Sequence, residues 1–157
     1  MTARPPSRAD LLAAHDEAMQ DFNAHAVLLQ DTIARTVGRT GVDLQVVGLL
    51  LREGPTTPGV LAARTGLSAG GAITALIDRL ERAGYVQRRR DDTDRRRVLV
   101  EAVPDRVFAD VGRVYQQIAA RWAEYLSTLS DEQIAFANDL LRTASAVNRE
   151  EIDRLRQ

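Results

Sequence analysis

Hydrophobic residues recur at spacings of three and four along most of the chain, which is the pattern of amphipathic helices. The longest series runs from Leu11 to Val37 and stops at Gly38. Ser7, with Asp10 three residues later, has the spacing of a helix N-cap and its acidic partner. The pattern therefore predicts one long helix from about residue 8 to the Gly38–Gly41 region. It is longer than one small domain requires.

Three shorter helical patterns follow. Asp43 is a candidate N-cap for the second helix, which Gly54 ends. Thr57 begins a third helix, which ends at Gly66. Ser68 is a candidate N-cap for the fourth, which extends to about residue 83 and is stopped by Gly84.

The period of the pattern changes after Gly84. Residues 85–89 and 97–103 are predicted strands on either side of a turn rich in Asp, 91–94. Pro104 ends the second strand and begins a fifth helix. Ser130 and Gln133 form a capping-box pattern that opens the last helix, which reaches about residue 152.

This order of elements predicts a mainly α fold with a small β-hairpin wing. Residues 43–103 would form a winged helix-turn-helix that binds DNA. The flanking helices, 7–40 and 104–155, would form a dimerisation region, because their apolar stripes exceed what one subunit needs to cover.

Composition excludes several functional classes. The sequence contains no Cys, which removes disulfides, thiol redox sensing and thiolate metal sites. His15 and His25 are ten residues apart, a spacing that does not suit a shared metal. No paired carboxylates, nucleophile or phosphate loop is organised along the chain. We therefore expect no enzymatic activity, no cofactor and no metal. The absence of an 18-residue apolar run and of a signal peptide favours a soluble, cytoplasmic protein.

Charge is distributed unevenly, although the net charge is only −1. All 21 basic residues are Arg, whose planar guanidinium suits phosphate and guanine. Residues 52–97 hold 10 Arg and 6 acidic residues, so they carry +4, whereas both flanks are negative. The positive charge is thus concentrated on the predicted winged unit.

The candidate DNA contacts fall on the fourth helix and on the hairpin. Small residues at the start of this helix would let its backbone approach DNA closely, and Thr74 would contact a base edge. Arg96 would enter the minor groove, held extended by an ion pair with Asp94, while other arginines would contact the backbone. The candidate set is Ser68, Ala69, Gly70, Gly71, Thr74, Arg79, Arg88, Arg90, Asp94, Arg95 and Arg96, with Arg64 and Arg82 as further phosphate contacts.

These segments resemble the DNA-binding core of the MarR family of bacterial transcription regulators. The matching stretches read LAARTGLS, ITALIDRLERAGYVQR and DDTDRRRVLV. The family's wing signature falls on Asp94, Arg96 and Leu99. The motif match covers residues 60–104, and the helix order matches from about Ser7 to Arg154. Ala75 departs from the family, which often has Arg after the threonine.

The resemblance implies a homodimer that binds a pseudo-palindromic operator in double-stranded DNA. It also implies release by a small-molecule effector, bound in a cleft between the dimer helices and the winged unit. The cleft candidates are Phe22, His25, Leu29, Val47 and Trp122. The expected function is a dimeric transcriptional regulator that acts as a repressor. The alternative is a winged-helix module that binds an acidic partner protein.

Overall fold

The computed structural model describes residues 4–68 and 70–156. These residues are mainly helical and contain one antiparallel pair of strands, which confirms the predicted fold class. The elements, in chain order, are α1 (Arg8–Thr36), α2 (Gly41–Glu53), α3 (Pro58–Thr65), α4 (Gly71–Arg82), β1 (Val86–Arg90), β2 (Val98–Ala102), α5 (Pro104–Val107), a π-helical turn (Phe108–Gly112), α6 (Arg113–Leu126) and α7 (Asp131–Leu155).

Most helix ends follow the local capping signals. Ser7 and Ser130 cap α1 and α7 through complete capping boxes, as predicted. Thr57 caps α3, and Gly66 ends it in the left-handed conformation at φ 71°. Each of these side chains satisfies a backbone N–H that has no partner within the helix.

Two predicted helix starts were wrong. Helix α2 begins earlier than expected, with Thr40 as its N-cap and Asp43 three positions into the helix. Helix α4 begins later than expected, at Gly71, and its N-cap is Gly70 rather than Ser68. Gly70 has φ 124°, which glycine adopts far more easily than other residues. The chain therefore leaves the turn through Gly70, and Ser68 lies outside the helix.

The hydrophobic core lies in the first of two compact units, residues 1–113. Helix α4 contributes one buried face, Ile73, Leu76, Ile77 and Leu80. Thr56 exchanges two backbone hydrogen bonds with Val100, at 3.0 and 2.8 Å, and so adds a short third strand segment to the hairpin. This bridge ties the chain before α3 to the wing.

The second unit, residues 114–157, consists of most of α6 and of α7. Neither helix has a buried residue among those described. Trp122 and Tyr125 contact each other edge to face, with ring centroids 6.2 Å apart. No helix in the described residues is long and apolar enough to cross a membrane.

Candidate nucleic-acid interface

Helix α4 presents one buried and one exposed face, which is the arrangement that a DNA-reading helix requires. Its apolar residues pack inward, mainly against α3 and β1. Thr74, Ala75, Asp78 and Arg82 lie on the exposed face. Thr74 is therefore exposed, and its contact with a base edge stays a prediction.

The start of α4 is formed almost without side chains. Gly70 and Gly71 are exposed, and a Cβ added at either would meet nothing within 4 Å. Ser68 is also exposed, while Ala69 lies outside the described residues. The first N–H groups of a helix have no partner within it, so an anion can approach this turn closely. The expected close approach of the backbone thus has a physical basis at Gly70 and Gly71.

The wing is a regular hairpin whose tip is held by aspartates. β1 pairs with β2 from Val86 opposite Ala102 to Arg90 opposite Val98. Asp91 accepts hydrogen bonds from the backbone N–H and the hydroxyl of Thr93, at 2.9 and 2.7 Å. These bonds lower the pKa of Asp91, so the turn is held by a carboxylate at neutral pH.

Asp94 acts on the backbone of Arg96 and not on its guanidinium. Its Oδ1 accepts the N–H of Arg96 at 3.0 Å, and the described contacts include no ion pair between the two side chains. The predicted ion pair was therefore wrong, since the carboxylate closes a tight turn instead. Asp94 still holds the backbone at Arg96, from which the side chain extends.

The arginines of the wing divide into three groups. Arg88, Arg89 and Arg97 have carboxylate partners, whereas Arg90 donates to the carbonyl of Arg95 at 2.8 Å. Arg95 and Arg96 are exposed, and within the described part of the chain their guanidinium groups contact no partner. Two cations are therefore free at the tip of the wing.

Arg88 joins the wing to α4. Its guanidinium contacts Asp78 at 2.5 Å and also Glu81, and its backbone N–H donates to Glu81 at 3.0 Å. These contacts raise the pKa of Arg88 against the opposing effect of burial. The side chain predicted to contact DNA is therefore engaged within the protein.

Arg79 is engaged in the same way. Its Nη2 lies 2.6 Å from Oδ1 of Asp43, a residue that is fully buried near the start of α2. The sequence predicted a phosphate contact for Arg79 and an N-cap for Asp43. The pair was missed because its members are 36 positions apart, although the capping-box spacing from Thr40 to Asp43 was a readable local signal.

The predicted effector residues lie in different environments. Phe22, Leu29 and Trp122 are about half exposed. His25 is exposed and contacts the carbonyl and carboxylate of Asp21. Val47 is 1% exposed and belongs to the core, so among the cleft candidates it is the one without an exposed surface, and its role stays a prediction.

A cluster for which the sequence carried no local signal surrounds the buried Tyr85. The Tyr85 hydroxyl donates to Asp110 at 2.5 Å, and the guanidinium groups of Arg39 and Arg106 lie 5.6 and 5.8 Å from its ring centroid. This cluster anchors the start of the wing to the π-helical turn. In residues 4–68 and 70–156, no three His, Asp or Glu side chains are grouped to hold a metal ion.

Comparisons with known proteins agree with this geometry. A model of the MarR family matches residues 37–97. The HTH-type transcriptional regulator YcgE of Bacillus subtilis is 31% identical over 152 residues, which are 96% of this chain and 97% of YcgE.

Solved structures share the fold. A MarR family protein from Bacillus stearothermophilus has a TM-score of 0.69 at 23% identity, over 92% of this chain and 99% of its own. Streptococcus pneumoniae FabT, solved in complex with DNA, has a TM-score of 0.67 at 17% identity, over 88% and 98%. The hairpin and the three helices before it, α2 to α4, thus form a winged helix-turn-helix.

Proposed function

The chain belongs to the MarR family of DNA-binding transcriptional regulators, and from this premise we propose that it is a homodimeric repressor of a pseudo-palindromic operator. The observation that carries the proposal is the pair of free guanidinium groups, Arg95 and Arg96, on a wing whose other ionic groups are mostly paired. An exposed cation without a partner is available to phosphate or to the electronegative minor groove.

Each part of the winged unit, 43–103, has a separate role in this proposal. The turn before α4, with Ser68 and Gly70, and the first helical residue, Gly71, approach the DNA backbone, and Thr74 reads a base edge in the major groove. Arg96 enters the minor groove from a backbone turn that Asp94 holds. Arg82, Arg90 and Arg95 contact phosphates.

Dimerisation is assigned to 7–40 and 104–155. The support is a large exposed apolar surface on long helices, which on a monomeric protein marks an interaction site. In α1 only Ile33 and Ala34 are buried, and α7 exposes Phe136 and Leu141. The recognition helix is α4, the helix proposed to read bases. Its two copies in such a dimer would lie about 34 Å apart, one turn of DNA.

The proposed repressor would be released from its operator when a small molecule binds to it. An effector lowers the affinity for DNA if it binds more tightly to a dimer whose recognition helices have the wrong separation. Phe22 and Leu29 are apolar, half exposed and one turn apart from His25 on α1, which makes them the first positions to test. A library screen would follow displacement of labelled operator, with Phe22→Ala and Leu29→Ala as variants expected to respond less.

The central experiment measures binding to the DNA upstream of the gene that encodes this chain. Fluorescence anisotropy is recorded over a salt series for the wild type and Arg96→Ala, with scrambled DNA of equal length as the control. We expect tight binding that depends on sequence, and a salt slope that Arg96→Ala reduces by about one per protomer. Equal weak binding of both DNAs would contradict a specific operator at this locus.

The alternative, a module that binds an acidic protein, gains no support from relatives named as transcription regulators. The same experiment separates the two. Failure to bind either DNA at low salt, with the dimer intact in ultracentrifugation, would favour the protein-binding module.

A further inference from the structure

Asp43 is a buried carboxylate whose oxygens are both occupied. Its Oδ2 accepts the backbone N–H of Thr40 at 2.9 Å, and its Oδ1 accepts Nη2 of Arg79 at 2.6 Å. Its own N–H donates to the Thr40 hydroxyl at 3.2 Å. The start of α2, where helix dipoles favour negative charge, therefore holds this carboxylate in one orientation.

Arg79 reaches this carboxylate from the last turn of α4. It precedes the buried Leu80 and follows the buried Leu76 by three positions, so its stem starts beside the core. Helix α4 otherwise rests mainly on α3 and β1. The ion pair adds a tie from α4 to α2, an element 36 positions earlier in the chain.

A contact between Arg79 and a DNA phosphate would require its ion pair with Asp43 to break. The guanidinium would have to turn from Asp43 toward solvent, and a fully buried carboxylate would lose its cation, which is strongly unfavourable. Arg82, one turn later, is exposed, and the acceptor of its Nε is the neutral carbonyl of Asp78, 3.2 Å away. The helix thus already carries a free guanidinium for the DNA backbone.

We propose that Asp43 sets the position of the recognition helix through Arg79, and that Arg79 is a positioning residue and not a contact to DNA. The inference deepens the proposed function and rests on it for the identity of α4 as the reading helix. Asp43, a buried residue that does not contact DNA, would then help to determine the affinity for the operator.

Asp43→Asn distinguishes the two roles of Arg79 by the sign of its effect. If Arg79 binds phosphate, the neutral amide frees its guanidinium, and DNA binding becomes tighter with a steeper salt slope. If Arg79 positions α4, the new amide can accept only one of the two hydrogen bonds that Asp43 accepts. Its NH2 group must face either the guanidinium of Arg79 or the backbone N–H of Thr40, and both of these are donors. Binding then weakens by roughly tenfold, the scale of one charge-assisted hydrogen bond, and the salt slope is unchanged.

Arg79→Ala and the matched control Arg82→Ala complete the series. We expect Arg79→Ala to weaken operator binding without changing the slope, and the double variant with Asp43→Asn to bind no more weakly than the worse single variant. Arg82→Ala should lower the slope by about one per protomer. Tighter binding by Asp43→Asn, a lower slope for Arg79→Ala, or unchanged affinity in both would overturn the proposal. If Arg79→Ala does not fold, Arg79→Met keeps the stem and replaces it.

A measurement without DNA separates this proposal from the proposed function. Urea unfolding of Asp43→Asn, Arg79→Ala and the double variant reports whether the two side chains are energetically coupled. Additive losses in the midpoint would overturn the proposal even if the wild type binds DNA. Coupled losses in a protein that binds no DNA would contradict the repressor but support the tie between α2 and α4.

Discussion

Replacement of Tyr85 by Phe removes the hydroxyl from a part-buried polar contact of the first unit. The ring is 1% exposed, and its hydroxyl donates to Asp110 at 2.5 Å. The Phe ring keeps the packing and the two guanidinium groups near its faces. The change therefore isolates the hydrogen bond that joins the start of the wing to the π-helical turn.

The expected loss follows from the partners that Asp110 retains. A hydrogen bond to a charged group contributes about 1.5–3 kcal/mol. Asp110 still accepts Nη2 of Arg106 at 3.0 Å, and its side chain is 21% exposed, so water can replace part of the lost bond. We expect the low end, about 1.5 kcal/mol, which lowers the urea midpoint by about 0.7 M for a slope of about 2 kcal/mol/M.

The assay is urea unfolding followed by circular dichroism, with Tyr125→Phe as the control. Tyr125 is 56% exposed, and its change should leave the midpoint where it was. Burial and the bond to Asp110 raise the pKa of Tyr85 to about 12. Absorbance titration should therefore lose its most alkaline phenol in Tyr85→Phe only. An unchanged midpoint, or an unchanged alkaline limb, would refute the reasoning.

Three further predictions concern α4 and its contacts. Burial raises the pKa of Asp43, but the bonds from Arg79 and Thr40 outweigh it and the net pKa is lowered. The free energy that ionised Asp43 contributes to folding is therefore complete above its unfolded pKa of about 3.9, and it is lost as pH falls through the lower pKa of the folded state. Urea midpoints measured from pH 7 to 3 should therefore fall less in Asp43→Asn than in the wild type. Gly70→Ala should cost about 1–3 kcal/mol in urea unfolding because φ is 124°, whereas Gly71→Ala should leave stability unchanged and weaken only DNA binding. Arg88→Ala should cost about 1 kcal/mol, since its ion pairs are partly exposed, and leave the salt slope of DNA binding unchanged.

Local signals predicted most of the fold because they act within one turn of chain. The capping boxes at Ser7 and Ser130, and the Thr57 and Gly66 ends of α3, each depend on residues at most three positions apart. The start of α4 was misplaced because Ser68 is a good cap by composition. The backbone at Gly70 decides the outcome instead, and composition does not report φ.

The candidate site was harder to predict because a guanidinium forms an ion pair with whichever carboxylate the fold brings near it. From the sequence, Arg79 was predicted to contact DNA because it lies on an exposed helix face, and Arg88 because it lies in a run of arginines. The fold places a buried Asp43 beside the first and two carboxylates of α4 beside the second. Neither encounter has a local signal, since the partners come from other elements.

This pairing bears on how strongly the protein should respond to salt. Of the seven arginines proposed as contacts from the sequence, three have carboxylate partners, and four keep their full charge for DNA; the latter are Arg82, Arg90, Arg95 and Arg96. Four arginines per protomer, three at phosphates and Arg96 in the minor groove, make eight cations per dimer, and a slope of about −0.9 for each phosphate charge that they neutralise gives about −7. Engagement of all seven would give about −13. A measured slope near the smaller value would mean that the fold, by pairing Arg64, Arg79 and Arg88 with carboxylates, reserves the wing tip and the exposed face of α4 for DNA. That reservation also explains how a chain with a net charge of −1 can bind a polyanion, because the affinity depends on a few free cations in fixed positions and not on the overall charge.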